Sequence, residues 1–181
     1  MNIETPLKKE DIEKLKAGDI VKSSGIIYTA RDAAHKKMCE LLEKKQELPF
    51  DPEGAVIYYV GPSPEKPGQV IGSAGPTTSG RMDAYTPLLL SAGIKGMIGK
   101  GIRSDKVRES IVKNKAVYFA ATGGAAALIS RSVISSRVVA YEELGTEAVR
   151  ELTVKDLPVI VINDIYGNDL YTEGQKKYKE E

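Results

Sequence analysis

Two short runs constrain this chain more than anything else in it: Ala55-Val56-Ile57-Tyr58-Tyr59-Val60, held between Gly54 and Gly61, and Ala116-Val117-Tyr118-Phe119-Ala120. A strand with one wet face alternates apolar and polar residues. These runs are apolar or aromatic at almost every position, so each reads as a strand covered on both sides. Covering both sides takes further layers, and a fold of one sheet with a bare face is excluded.

The layers come from elsewhere in the chain. From Thr29, the expected N-cap, the run ARDAAHKKMCELLEKK is rich in helix formers, sets Ala34, Met38, Leu41 and Leu42 on one side and closes before Pro49. Glu10 and Asp11 ahead of Ile12 and Leu15 open a short helix that Gly18 stops. Ser104 and Asp105 open another over residues 105–112, and Met82 to Ser91 forms a third in which Pro87 requires a kink or a later start. Strands are expected at Ile20-Val21 and Ile26-Ile27-Tyr28, parted by Ser23, Ser24 and Gly25, and at Gln69 to Gly72, Ile94 to Ile98, Arg137 to Ala140, Ala148 to Val154 and Pro158 to Ile162. The segment 61–68 is an exposed loop, Gly123-Gly124 a tight turn into a small-residue helix, and residues 175–181 a solvated, frayed tail. Strands and helices alternate through short glycine turns, yet some consecutive strands lack a crossover helix. The expectation is a layered α/β domain with a mixed sheet, a single domain over residues 1–181.

Charge and cysteine content narrow the function. Twenty-six Lys and Arg against twenty-five Asp and Glu leave a net charge of +1, so no broad field invites nucleic acid or an anionic membrane. The apolar runs are far shorter than the ~20 residues of a spanning helix, and the first fifty residues carry no apolar leader, which reads as a cytoplasmic protein. The single cysteine, Cys39, cannot supply the thiolates of a zinc site or an iron–sulfur cluster, and its helical pattern with Met38, Leu41 and Leu42 places it in a core. No metal site is expected in this chain.

Residues that could carry chemistry gather in a few places. In GPTTSGRMD, residues 75–83, Thr77, Thr78 and Ser79 can donate to anionic oxygens and Arg81 offers a planar two-pronged donor. If a helix starts at Met82, its amides add to the same anion site. The other reading is a capped loop whose hydroxyls satisfy only the backbone. Arg31 stands at a helix start, where a cation opposes the dipole, which points to a ligand; Asp32 suits the dipole. His35, one turn on, serves either a hydrogen-bonded supporting role or proton transfer. Lys100 sits between Gly99 and Gly101 at a strand's carboxyl end, where α/β proteins collect ligand groups. Asp164, Gly167, Asn168 and Asp169 make a polar turn, open to a metal but better suited to Asx geometry.

The stretches GDIVKSSGIIYTARDAAHK (18–36), GAVIYYVGP (54–62), GPTTSGRMD (75–83), GKG (99–101), ATGGAAAL (121–128) and LPVIVINDIYGNDLY (157–171) together resemble the beta subunit, or C-terminal domain, of iron–sulfur-dependent class I fumarate hydratases and L(+)-tartrate dehydratases. The resemblance implies a swivelling β/β/α domain that closes against a separate alpha subunit carrying a 4Fe–4S cluster. It also implies that Arg31, Thr78, Arg81 and Lys100 bind the carboxylates of a small dicarboxylate substrate, that Thr77 is the catalytic base, and that Asp32 and His35 support Arg31. Where many relatives carry a small or polar residue after the lysine and glycine, this chain reads Ile102-Arg103-Ser104, and Arg103 is a candidate additional cation.

The function so implied is a hydro-lyase of the fumarate and malate interconversion, a tricarboxylic acid cycle reaction, active only with its alpha subunit. The alternatives are an L(+)-tartrate dehydratase beta subunit and a non-catalytic dicarboxylate-binding module. A partner surface would leave exposed apolar area near Gly75 to Arg81 in the isolated chain, which a homodimer could cover.

Overall fold

Alternate residues of the two apolar runs enter two different cores. Val56, Tyr58 and Val60 pack with Val117 and Phe119 in one, while Ile57 and Tyr59 pack with Tyr118 in the other. Each buried Val, Ile or Phe side chain contributes about 1.5–3 kcal/mol of transfer free energy, so both faces of these strands hold the fold.

The computed structural model describes residues 1–121 and 126–178. In chain order the elements are β1 (Asn2–Thr5), α1 (Lys9–Ile12), β2 (Ile20–Thr29), α2 (Asp32–Glu43), β3 (Val56–Tyr58), a 3-10 turn (Ser79–Met82), α3 (Thr86–Ser91), β4 (Gly96–Gly99), α4 (Asp105–Asn114), β5 (Val117–Ala120), α5 (Ala126–Arg131), β6 (Val133–Ala140), a second 3-10 segment (Glu142–Glu147), β7 (Val149–Asn163) and α6 (Leu170–Tyr178). Strands β1 to β5 run parallel to their neighbours in order, and β7 pairs antiparallel with β5, β6 and β2. The β2–β7 pairing partly closes the mixed sheet on itself. One core, containing Val21, Ile27, Leu152, Val159 and Val161, lies among the strands. The other joins the sheet to Ala34 and Met38 of α2, Leu89 and Leu90 of α3, and Val107 and Ile111 of α4. The result is the layered β/β/α arrangement of the swivelling type.

Several local expectations change. The strand pieces 20–21 and 26–28 are one strand, and 148–154 and 158–162 are another, because both breaks are the same bulge. Ser23 opposes Leu157 and Gly25 opposes Val154, leaving Asp156 at φ 51 with its N–H bonded to Ser24 Oγ at 3.0 Å. Thr29 is not the N-cap of α2. It ends β2, donating to the Ala148 carbonyl and accepting from the Arg150 amide, and Arg31 takes the cap position. Residues 69–72 form no strand. The helix expected from Met82 is a 3-10 turn followed by α3, with Pro87 in its first turn where its missing N–H costs nothing. Strand β1 and helix α6 had no expectation behind them, and α6 carries helix through Tyr178 into the presumed tail. Gly123-Gly124 and residues 179–181 lie outside the described residues. Asp164 accepts from the amides of Ala17, Tyr166 and Asn168 and from Asn168 Nδ2, so its turn is built on Asx geometry.

Candidate functional site

The carboxyl ends of β2, β3, β4 and β5 are level, since Thr29 pairs with Tyr58, Tyr58 with Ile98, and Gly99 with Ala120. Chain leaving those ends carries the residues expected to bind an anionic substrate and their supports: Arg31, Asp32 and His35 after β2, Thr77 to Arg81 in the crossover after β3, and Lys100 after β4. Open α/β sheets bind ligands at this edge.

Segment 77–79 lies along the edge as a strand-like extension. The Thr77 amide donates to the Tyr59 carbonyl at 2.8 Å, the Ser79 amide to the Lys100 carbonyl at 2.8 Å, and the Lys100 amide to the Thr77 carbonyl at 3.3 Å. Thr78 and Lys100 are thereby parallel bridge partners. This approach needs Gly99: a Cβ there would lie 2.0 Å from Ser79 Oγ. Ser79 is 0% exposed and its hydroxyl donates to Tyr118 OH, which donates to the Gly101 carbonyl. Of the three hydroxyls in the run, Ser79 therefore serves the fold, and Thr78 lies exposed with Thr77 half-buried. Among the described residues neither threonine hydroxyl is engaged by another group.

Arg31 and Arg81 stand on the same side of the domain, tied through neighbouring residues. Arg81 Nη2 bonds to Asp32 Oδ2. Arg31 Nη2 lies 3.4 Å from Glu147 Oε1, and Glu147 Oε2 accepts the Ala33 amide at 3.2 Å. Glu147 thus supplies both the counter-ion for Arg31 and an anion at the α2 N-terminus, a role no local pattern announces. Gly61 lets the guanidinium in: a Cβ there would meet Arg31 Nη1 at 2.9 Å. Among the described residues Arg31 Nε and Asp32 Oδ1 are buried without partners, which leaves the cluster under-satisfied by them.

His35 is held beneath this cluster. Its Nδ1–H donates to the Arg31 carbonyl at 2.8 Å, its ring meets Tyr59 edge-on, and burial, the largest influence, pushes its pKa down to about 4. The ring is neutral at neutral pH. Arg103 differs from the expectation of an extra cation facing the ligand. It turns inward, pairs with Asp83 and lies over the rings of Tyr59 and Tyr118; the signal was present in the tyrosines of the apolar runs, which offer hydroxyl and π partners to a buried guanidinium.

Three cations, Arg31, Arg81 and Lys100, thus share this edge with two paired carboxylates, Glu147 and Asp32, which among the described residues leaves one positive charge in excess. Among the described residues, five cavities of about 350 to 460 Å3 lie elsewhere and are lined by none of Arg31, Thr77, Thr78, Arg81 or Lys100. Within 75–81, near which exposed apolar surface is expected, the exposed residues are Thr78, Gly80 and Arg81. The large exposed apolar side chain beside them is Ile102, 58% exposed, whose carbonyl neighbours Gly80.

An iron–sulfur cluster does not fit this chain. Its one cysteine is buried in the α2–α3 core with its thiol pKa pushed up to about 11 by burial, and among the described residues no group of three or more His, Cys, Asp or Glu could hold a metal ion. Among the same residues no helix is long and apolar enough to cross a membrane.

Comparison with known proteins adds a family. The profile described as Fumarase C-terminus matches residues 1–174. A putative L(+)-tartrate dehydratase subunit beta from Methanocaldococcus jannaschii is 43% identical over 129 residues, 70% of this chain and 66% of that protein. The anaerobic class I fumarate hydratase of Escherichia coli K12 is 41% identical over 109 residues, 60% of this chain and 20% of that protein. The L(+)-tartrate dehydratase subunit beta of the same strain is 34% identical over 127 residues, 68% of this chain and 62% of that protein. The matches thus span from a fifth to just under two thirds of these relatives' own lengths.

Proposed function

This chain belongs to the Fumarase C-terminus family, shared by class I fumarate hydratases and L(+)-tartrate dehydratase beta subunits, and on that premise we propose that it is the carboxylate-binding half of a hydro-lyase. The reaction is the interconversion of fumarate and L-malate in the cytoplasm, carried out only in complex with an alpha subunit that holds the iron–sulfur cluster. The observation that carries the reading is the convergence of Thr77, Thr78, Arg81 and Lys100 with the Arg31–Asp32 turn at one sheet edge.

The chemistry asks for such an edge. Taking a proton from the carbon next to a carboxylate of malate drives negative charge onto that carboxylate. Arg81, Lys100 and the Thr78 hydroxyl oppose this charge, and Arg31 serves the same or the second carboxylate. One charge pair at about 4 Å is worth roughly 4 kcal/mol at an effective dielectric of about 20, before desolvation. Thr77 Oγ1 is the base. A threonine is a poor base in water, so its action requires the cations beside it and the exclusion of solvent by the partner. The excess of one positive charge also falls short of a dianion, which again assigns part of the site to the other subunit.

A second reading, dehydration of L(+)-tartrate, is favoured by the 43% identity to the Methanocaldococcus jannaschii protein of that putative activity. Anaerobic reconstitution with the alpha subunit, assayed on malate, fumarate and both tartrate enantiomers, separates the two. In the active complex Arg81→Ala is expected to lower kcat/KM by about 1,000-fold or more. Its ion pair with Asp32 is half exposed, so its loss costs the fold about 1 kcal/mol or less. A decrease under about tenfold in kcat/KM would refute the clamp.

A further inference from the structure

Arg103 lies three residues beyond Lys100, yet its side chain is 0% exposed. Its Nε donates to Asp83 Oδ1 at 2.7 Å, its Nη2 to Thr86 Oγ1 at 2.8 Å and its Nη1 to Tyr59 OH at 3.4 Å. The guanidinium carbon sits 5.0 Å from the Tyr118 ring centroid and 5.4 Å from that of Tyr59. The second oxygen of Asp83 accepts the Ser104 amide at 2.7 Å. Asp83 closes the segment that carries Thr77, Thr78 and Arg81, and Arg103-Ser104 closes the segment that carries Lys100. A single ion pair therefore staples the far ends of the two segments whose near ends are already joined by the Thr78–Lys100 bridge.

Stability alone is a weak reason for this arrangement. A buried ion pair is matched or bettered by apolar side chains of similar volume, because both charges must be stripped of water. What apolar packing lacks is direction: a planar guanidinium with a partner on each edge and an aromatic ring against it fixes distance and angle together. The turn from Gly101 to Ser104 shows the effect, since drawing Arg103 inward leaves Ile102 raised to the surface beside Gly80.

We propose that the Arg103–Asp83 pair is a positioning lock that sets the spacing of Thr77 and Thr78 against Lys100, so that base and clamp address one substrate molecule. The proposal rests on the carboxylate-site reading of those three residues. Arg103 and Asp83 act through them, since Arg103 is closed off beneath the site. Misplacing a reacting group by about 1 Å costs on the order of 100-fold in rate.

The test uses Arg103→Lys, Arg103→Met and the double substitution Arg103→Met/Asp83→Asn in the complex with the alpha subunit. The readouts are kcat and KM for fumarate hydration, thermal melting, and amide hydrogen exchange over residues 77–83 and 99–104. The double variant leaves no charge buried alone, so it is expected to stay folded. Its kcat should fall about 100-fold with a smaller change in KM, and exchange should rise at the Ser79 and Lys100 amides. Arg103→Lys, which keeps the charge pair without the planar fork, should recover part of kcat relative to Arg103→Met. Wild-type kcat, KM and exchange in the folded double variant would overturn the lock, as would activity lost only in proportion to folded protein. Should the wild-type complex be inactive on every dicarboxylate, the functional reading fails; the exchange data then still decide the lock, supporting it if they rise and overturning it if they do not.

Discussion

Mild acid should weaken this fold through one side chain. His35 is the chain's only histidine, 1% exposed, with Nδ1 bonded to the Arg31 carbonyl and Nε2 buried without a partner among the described residues. Protonating it would place a second cation among apolar groups near Arg103. Burial first, and Arg103 after it, outweigh the pull of the Arg31 carbonyl and Asp32, and the pKa drops from 6.5 to about 4. An unfolded chain therefore binds a proton near pH 6.5 that the native protein refuses until about pH 4. Between those values the unfolded state holds more protons, so stability falls as the pH falls through that window and levels off below it. At about 1.4 kcal/mol per pH unit the gap amounts to about 3 kcal/mol, a large share of the 5–15 kcal/mol that is typical of a domain. Urea unfolding of tag-free protein at steps from pH 7.5 to 4.5, alongside His35→Gln, reads this directly, because glutamine can still donate to the Arg31 carbonyl and does not titrate. Carboxylates titrate in both proteins, so the difference between the two curves is the measure. A ring-proton NMR titration with its midpoint near 6.5, or curves for the two proteins that stay parallel, would refute the reasoning.

Two further outcomes follow from packing. Gly99→Ala should destabilise the fold by about 1–3 kcal/mol in thermal or denaturant unfolding, because the new Cβ would lie 2.0 Å from Ser79 Oγ and 2.9 Å from the Tyr59 ring; a variant as stable as wild type would mean that segment 77–79 can retreat from β4 freely. Cys39, 7% exposed with its thiol pKa pushed up to about 11, should react with a disulfide reagent at pH 8 about 100-fold more slowly in the native protein than in urea. Equal rates would place the thiol outside the α2–α3 core.

Much of the scaffold was legible because burial on a short element is a local property. The runs 55–60 and 116–120, expected as strands covered on both faces, hold Val56–Tyr58 and Val117–Ala120, and the helical run 30–45 holds Asp32–Glu43, whose Ala34 and Met38 enter the core while Leu41 and Leu42 are only partly buried. The errors sit where a local break has a distant cause. Ser24-Gly25 and Asp156 each looked like the end of a strand, yet both belong to one bulge between partners more than a hundred residues apart. At the site, the residue types and their place after strand ends were readable from glycine-flanked motifs. The direction of Arg103 was not, because two tyrosines and Asp83 from three separate segments decide it.

The order of residues alone therefore settled the layered α/β plan, the want of thiolates for a cluster, and the hydroxyls and cations that could meet an anion. It settled these because apolar period, glycine placement and composition act within a few residues of chain. Tertiary structure decided which charges meet: Asp32 with Arg81, Glu147 with Arg31 and the α2 amides, and Asp83 with Arg103. Those pairings depend on the level ends of parallel strands and on the closure of the sheet by β7, and strand register is a property of the whole sheet that no single segment carries.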